Sequence, residues 1–354
     1  MALDRLPAPD VTHRVAALAC VDEPRPVARA THGTWRRPVV LALLGVAALL
    51  GCVRNIPLPT ITVVADDAVV VRGRYLAVTM GCRACHSPRD RALFSGPVVD
   101  GAEFTGNPRA SVEDGFPASF SFGAPALLPG HLGTWSDGEI VRAAVLGQSR
   151  NGDALFPLMP YTDWREVIAV DDLAAVVAYL RTLPARSAAQ MPERHFPMPG
   201  FVLAAIPEQR ALRAKAPVPG DADYGRYVTI RSGCMGCHTN ADARGRPTGA
   251  PFSGGRRFRL PPPATGEVFA KNLTPDVETG LGAWTKQAFV ARFRAVTPEV
   301  AKGMPVVAGS PQTPMPWTEY ATLSDEDLGA IYDFLQGLTP TKNATMPFSA
   351  PLTP

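Results

Sequence analysis

Cys82-Arg83-Ala84-Cys85-His86 and Cys234-Met235-Gly236-Cys237-His238 share one pattern: two thiols three positions apart, followed at once by an imidazole. With that spacing each thiol can add to one of the two vinyl groups of a single porphyrin. The imidazole then lies under the iron as an axial ligand. A bare C-x-x-C also serves zinc ribbons and dithiol redox pairs. The adjacent His, present twice, and the lack of any other Cys pair favour covalent haem over structural zinc or a dithiol. Cys82, Cys85 and His86, with Cys234, Cys237 and His238, are therefore the expected cofactor-holding residues. Two haem c groups are the expected cofactors.

Iron held by one His either takes substrate at its open face or is closed by a second protein donor. Thioether sulfur is soft and neutral, favours ferrous iron and suits electron transfer. Met159 and Met315 are the expected donors. Each stands in a Met-Pro step before an aromatic residue, where proline pushes its predecessor towards extended backbone. Methionine ordinarily fills core gaps, and it is the equivalence of these two positions that points to ligation. Met304-Pro305 is a rival without a counterpart in the first half. Met80, Met191, Met198 and Met346 read as packing or linker. His131 and His195 could each displace a Met, yet have no repeat partners and read as loop histidines.

The chain around these residues reads twice. Gly73-Arg74-Tyr75 recurs as Gly225-Arg226-Tyr227, Phe94-Ser95-Gly96 as Phe252-Ser253-Gly254, and Gly133-Thr134-Trp135 as Gly282-Ala283-Trp284. Met159 through Trp164 matches Met315 through Tyr320, and the stretch from Asp172-Leu173 matches that from Asp327-Leu328. Each repeat predicts a helix into its C-x-x-C-H (68–82; 222–234), a Gly/Pro-rich loop and a middle helix (136–147; 285–297). The Met-Pro loop follows, then a closing helix (169–182; 324–337) with apolar residues at helical spacing. Ser324 is the expected N-cap of the last, with acidic residues in its first turn.

This layout resembles the class I cytochrome c fold over nearly the whole of both repeats. The resemblance implies an all-α protein: two tandem class I cytochrome c domains with long irregular loops, preceded by an export signal or anchor. The expected boundaries are a leader over 1–52, domains over 53–186 and 217–342, a Pro-rich linker over 187–216, and an irregular tail over 343–354. In that family the first and last helices cross where small and aromatic side chains meet, which pairs Gly73 with Tyr179 and Gly225 with Phe334. Asn272-Leu273-Thr274-Pro275-Asp276 and the following Thr279 to Thr285 resemble a loop of bacterial multihaem cytochrome c subunits of membrane-associated dehydrogenases. There the loop packs near the haem propionates. Ala126 stands in place of Asn272 in the first repeat, so any such contact belongs to the second haem. Arg256 and Arg257 could pair with propionates or stand solvated.

Arg36-Arg37 precede an apolar run, Val39 to Val53. As a helix it would reach about 22 Å, short of a ~30 Å hydrocarbon core. The pattern fits a lipoprotein signal ending at Cys52, an uncleaved anchor or an ordinary cleaved signal. Each places the remainder on the periplasmic side of a bacterial membrane. The net charge of +3 over 354 residues lacks the clustered basic face of nucleic-acid binders. Four of six cysteines serve the two motifs, so this is no disulfide scaffold. With 37 prolines, long irregular connections are expected rather than continuous β ladders. The expected role is an electron carrier, or carrier subunit, between a dehydrogenase, quinol-oxidising complex or terminal oxidase and its acceptor. A dihaem peroxidase with one open haem is the alternative. It would need a distal acid/base group, and neither repeat offers one at a matching position.

Overall fold

The computed structural model describes residues 57–113, 119–195, 211–242 and 246–346. The apolar run and Cys52 lie outside the described residues. The first half holds helices α1 (Asp67–Thr79), α2 (Cys82–Cys85), α3 (Ala110–Glu113), α4 (Pro129–Leu132), α5 (Asp137–Leu146), α6 (Tyr161–Val167) and α7 (Val170–Thr182). The second holds α8 (Tyr224–Arg231), α9 (Cys234–His238), α10 (Lys286–Arg294), α11 (Pro298–Lys302), α12 (Trp317–Tyr320) and α13 (Asp325–Gln336). The architecture is largely helical. A two-stranded antiparallel sheet, β1 (Arg257–Arg259) on β2 (Glu267–Phe269), interrupts it in the second half, with Phe258 opposite Val268. No helix among the described residues is long and apolar enough to cross a membrane.

Local chemistry starts each long helix. The Asp66 carboxylate accepts from Val69 N at 2.8 Å to cap α1. Ser136 and Glu139 form a reciprocal capping box on α5, at 3.2 and 2.7 Å, and α5 stops at Gly147 in the left-handed region. Thr285 caps α10, and Ser324 caps α13 by accepting from Asp327 N at 3.0 Å. Asp325, Glu326 and Asp327 then face the positive end of that helix.

The first and last helices of each half cross at the expected glycines. A Cβ on Gly73 would lie 1.9 Å from the Ala175 carbonyl oxygen and 2.9 Å from Tyr179 Cβ. One on Gly225 would lie 2.4 Å from Ala330 O and 3.0 Å from Phe334 Cβ. Only a residue without a side chain admits so close a crossing. Tyr179 and Phe334 then meet Phe104 and Phe252 edge-on, with centroids 5.9 and 5.8 Å apart.

Most buried apolar residues form one cluster through both halves, including Leu76, Val141, Leu173 and Val177 with Val228, Phe289, Leu328 and Ile331, beside a small second cluster of Leu260, Ala264 and Val306. Where the halves meet, two contacts mirror each other. Tyr75 Oη donates to Asp327 Oδ2 at 2.6 Å, and its repeat equivalent Tyr227 donates to Asp172 Oδ2 at 2.5 Å. Each first-helix tyrosine thus bonds the closing-helix aspartate of the other half. Arg231, almost fully buried, pairs with Asp327 at 2.6 Å. Its Nε and Nη1 have no hydrogen-bond acceptor, and the guanidinium carbon lies 5.8 and 5.9 Å from the Tyr75 and Tyr227 ring centroids. The ring faces supply the negative potential that the second carboxylate oxygen does not.

Candidate haem sites

Both C-x-x-C-H motifs begin on a glycine in the left-handed region, Gly81 (φ 83°) and Gly233 (φ 74°). The space around each is open, so backbone conformation rather than crowding favours glycine there. The chain turns sharply off α1 or α8 and enters a single helical turn. Neither cysteine pair is joined by a disulfide. Burial pushes the Cys82 and Cys234 thiols up to about 12.

The imidazoles follow one design. His86 Nδ1 lies 2.7 Å from the Pro125 carbonyl oxygen, and His238 Nδ1 lies 2.7 Å from that of Lys271. A carbonyl accepts, so the proton is on Nδ1, and Nε2 makes no hydrogen bond in either ring. Burial, the largest cause, holds both rings below the ordinary histidine range, against the opposing pull of the carbonyls. A neutral ring, oriented through Nδ1 and open at Nε2, is what a metal requires. With two thiols one helical turn apart beside it, the donor set fits covalently held haem.

Met159 and Met315 both sit half-buried against the shared core, in the loops before α6 and α12. Their settings differ. Met159 is held within its own half: Tyr161 N donates to its carbonyl at 2.8 Å, and the Tyr161 hydroxyl donates to Leu155 O. The Met315 carbonyl also accepts from Ser95 Oγ of the other half at 2.8 Å, and Trp317 N donates to both that carbonyl and Ser95 Oγ at 2.9 Å. Ser95 N in turn donates to Gln312 Oε1 at 2.7 Å. The rival Met304 is exposed and binds the first half through its own carbonyl, which accepts from Phe94 N.

Other candidates separate clearly. Met80 is buried in the core, and Met346 is exposed. The Met191 side chain lies against Gly106 and Gly123; Met198 lies outside the described residues. His131 and His195 are exposed; His195 exchanges backbone hydrogen bonds with Ser121. Asn272 is buried, and its amide donates to Thr279 Oγ1 (3.0 Å) and Thr341 O (2.7 Å). Its carbonyl accepts from Thr274. Both amide hydrogens are used, one within the loop and one on the segment after α13, so none remains for a haem carboxylate, and the next residue back, Lys271, supplies the carbonyl for His238. Arg256 and Arg257 diverge: Arg256 donates to the Gly236 carbonyl inside the second motif, while Arg257 pairs with Glu267.

Sequence reasoning missed the contacts that cross between motifs and halves. Arg83, inside the first motif, forms a bidentate pair with Glu319 of α12 at 2.7 and 2.9 Å. Glu319 has its repeat equivalent in Asp163, whose carboxylate lies 3.2 Å from the Cβ position of Gly236 in the second motif. Burial, its largest cause, raises Asp163 above the usual carboxylate range, against the attraction of Arg256. Trp164 Nε1 donates to Arg231 O at 3.0 Å, just ahead of the second motif. Charged residues on the Met-Pro helices were the available signal, but nothing in their spacing names a partner.

No protein-family model matches the chain. Over 147 residues it is 33% identical to the cytochrome c subunit of an alcohol dehydrogenase (quinone) from Gluconobacter oxydans, covering 40% of this chain and 27% of that protein. Over 284 residues it is 27% identical to the gluconate 2-dehydrogenase cytochrome c subunit of Pantoea cypripedii, covering 77% and 60%. A diheme cytochrome c-type protein of Cereibacter sphaeroides is 29% identical over 133 residues, covering 37% and 41%. The chain thus spans from about a quarter to three fifths of the length of these relatives. Two C-x-x-C-H turns with oriented imidazoles, together with these likenesses, identify a chain that resembles the multihaem c-type cytochrome subunits of quinone-dependent dehydrogenases.

Proposed function

We propose that this protein is a periplasmic electron carrier built as two tandem class I cytochrome c domains. Each domain holds one covalent haem, through Cys82 and Cys85 or through Cys234 and Cys237. His86 and His238 are the proximal ligands, and Met159 and Met315 close the opposite faces. Haem supplies one-electron chemistry at iron, and the protein sets its potential through axial ligand, burial and nearby charge. The chain's own residues orient each imidazole by its Nδ1 proton, carry the sulfur on a proline-stiffened loop, and exclude water with a shared apolar core.

The observation that carries this reading is the repeated imidazole geometry, a Nδ1-to-carbonyl contact of 2.7 Å beside each thiol pair. The donor is a dehydrogenase, the enzyme class to which the named relatives belong. The basic residues and apolar run ahead of Cys52 support delivery across the membrane and attachment there, by lipid or by an uncleaved anchor.

The test is haem quantitation and a visible spectrum on protein exported from a haem-attaching host. The expected result is two haems per chain, both low-spin, with a methionine-to-iron charge-transfer band that M159L and M315L each remove in part. One haem per chain, or a spectrum unchanged with both methionines replaced, refutes the assignment.

A further inference from the structure

We infer that α12 is the bridge between the two centres, with the Tyr320 ring as the spanning group and Glu319 as the residue that positions it. This rests on the two-haem reading above. Consecutive residues of one helical turn are tied to both motifs. Glu319, almost fully buried, grips Arg83 between Cys82 and Cys85. The Tyr320 hydroxyl donates to the carbonyl of Ser232, two residues before Cys234.

The ring between these anchors packs on Phe293, with centroids 6.4 Å apart. Burial, the largest cause, raises its hydroxyl well above the ordinary tyrosine range. From the other side, α6 places Trp164 against Arg231 and Asp163 against Gly236. The motif-bearing turns of the two halves thus converge on one packed layer, and an electron crosses packed atoms faster than an open gap of the same width. The step moves one electron and no proton. One centre is oxidised, the other is reduced by the same electron, and Tyr320 keeps its hydroxyl proton.

Internal exchange is measured on the full-length, haem-loaded protein by pulsed photoreduction of one centre, followed by absorbance. Tyr320→Leu is expected to slow exchange several-fold, and Tyr320→Phe, which keeps the ring but loses the hydroxyl's hold on Ser232, to slow it less. Glu319→Gln also slows exchange, because the helix loses its hold on the first motif. Redox titration supplies a second readout. A cation favours the added electron, so Arg83→Gln lowers the potential of the first centre and Glu319→Gln raises it. A merely structural loosening would move both the same way. Parental exchange rates in Tyr320→Leu and Glu319→Gln with both haems bound overturn the inference. Should Tyr320→Leu fail to load two haems, Glu319→Gln decides alone. A parent protein with one haem, or without internal exchange, overturns the carrier reading itself.

Discussion

At the scale of single residues, the protein controls charge next to its motifs with few groups. Arg231 and Asp327 are buried together, and two tyrosine hydroxyls complete the aspartate's shell. Such a pair is justified by its surroundings, since desolvation alone would cost more than attraction returns. Asp163 lacks a comparable partner, and its carboxyl is held above the ordinary value of 3.8. Below that value Asp163 is protonated in both folded and unfolded chains and brings no penalty. As pH rises through its folded pKa the carboxyl must ionise in a half-buried place, and that stability is lost. Urea unfolding of Asp163→Asn should therefore show a more stable protein than the parent at neutral pH. The gain should vanish below about pH 3.8; an advantage constant across pH would contradict the burial argument.

Helices are placed by caps and crossings rather than by propensity. The glycine crossings are the least forgiving points, because a methyl group would sit inside the van der Waals radius of a carbonyl oxygen. Gly73→Ala and Gly225→Ala should each destabilise the protein by about 1–3 kcal/mol or more, the range for overpacked sites. The Gly73 change should be the worse, since its Cβ would approach 1.9 Å rather than 2.4 Å. Chemical denaturation of haem-loaded protein checks both magnitude and order. Removing the α5 capping box is milder. Ser136→Ala should cost about 1 kcal/mol, read from the same curves.

For the whole molecule, the two halves behave as one folded body because they share a core and exchange a reciprocal pair of tyrosine–aspartate bonds. Hydrogen bonds to charged groups contribute about 1.5–3 kcal/mol each. Tyr75→Phe and Tyr227→Phe should lose similar amounts of that order, as expected of the same contact made by repeat-equivalent residues. Calorimetry should show one transition for the parent and for each single variant. Two separated transitions in the parent would mean that the halves fold independently.

Much of the architecture was legible in the residue order. Helix limits within a few residues and the Ser324 cap followed from local pattern and from the repeat, and the Gly73–Tyr179 and Gly225–Phe334 crossings from the family resemblance; the left-handed glycines that open both motifs did not. The thiol pairs with their imidazoles are written in five consecutive residues, so residue order alone defines what chemistry each turn can hold. The tertiary structure decided which groups meet across the chain. Arg83 and Glu319 stand 236 positions apart, and Tyr75 and Asp327 252. It also drew the Asn272 amide inward and sent Arg256 to the second motif while Arg257 joined a small sheet. The physical reason is one of range. Capping, helical period and thiol spacing act between neighbours, whereas burial and ion pairing depend on what the finished fold brings alongside.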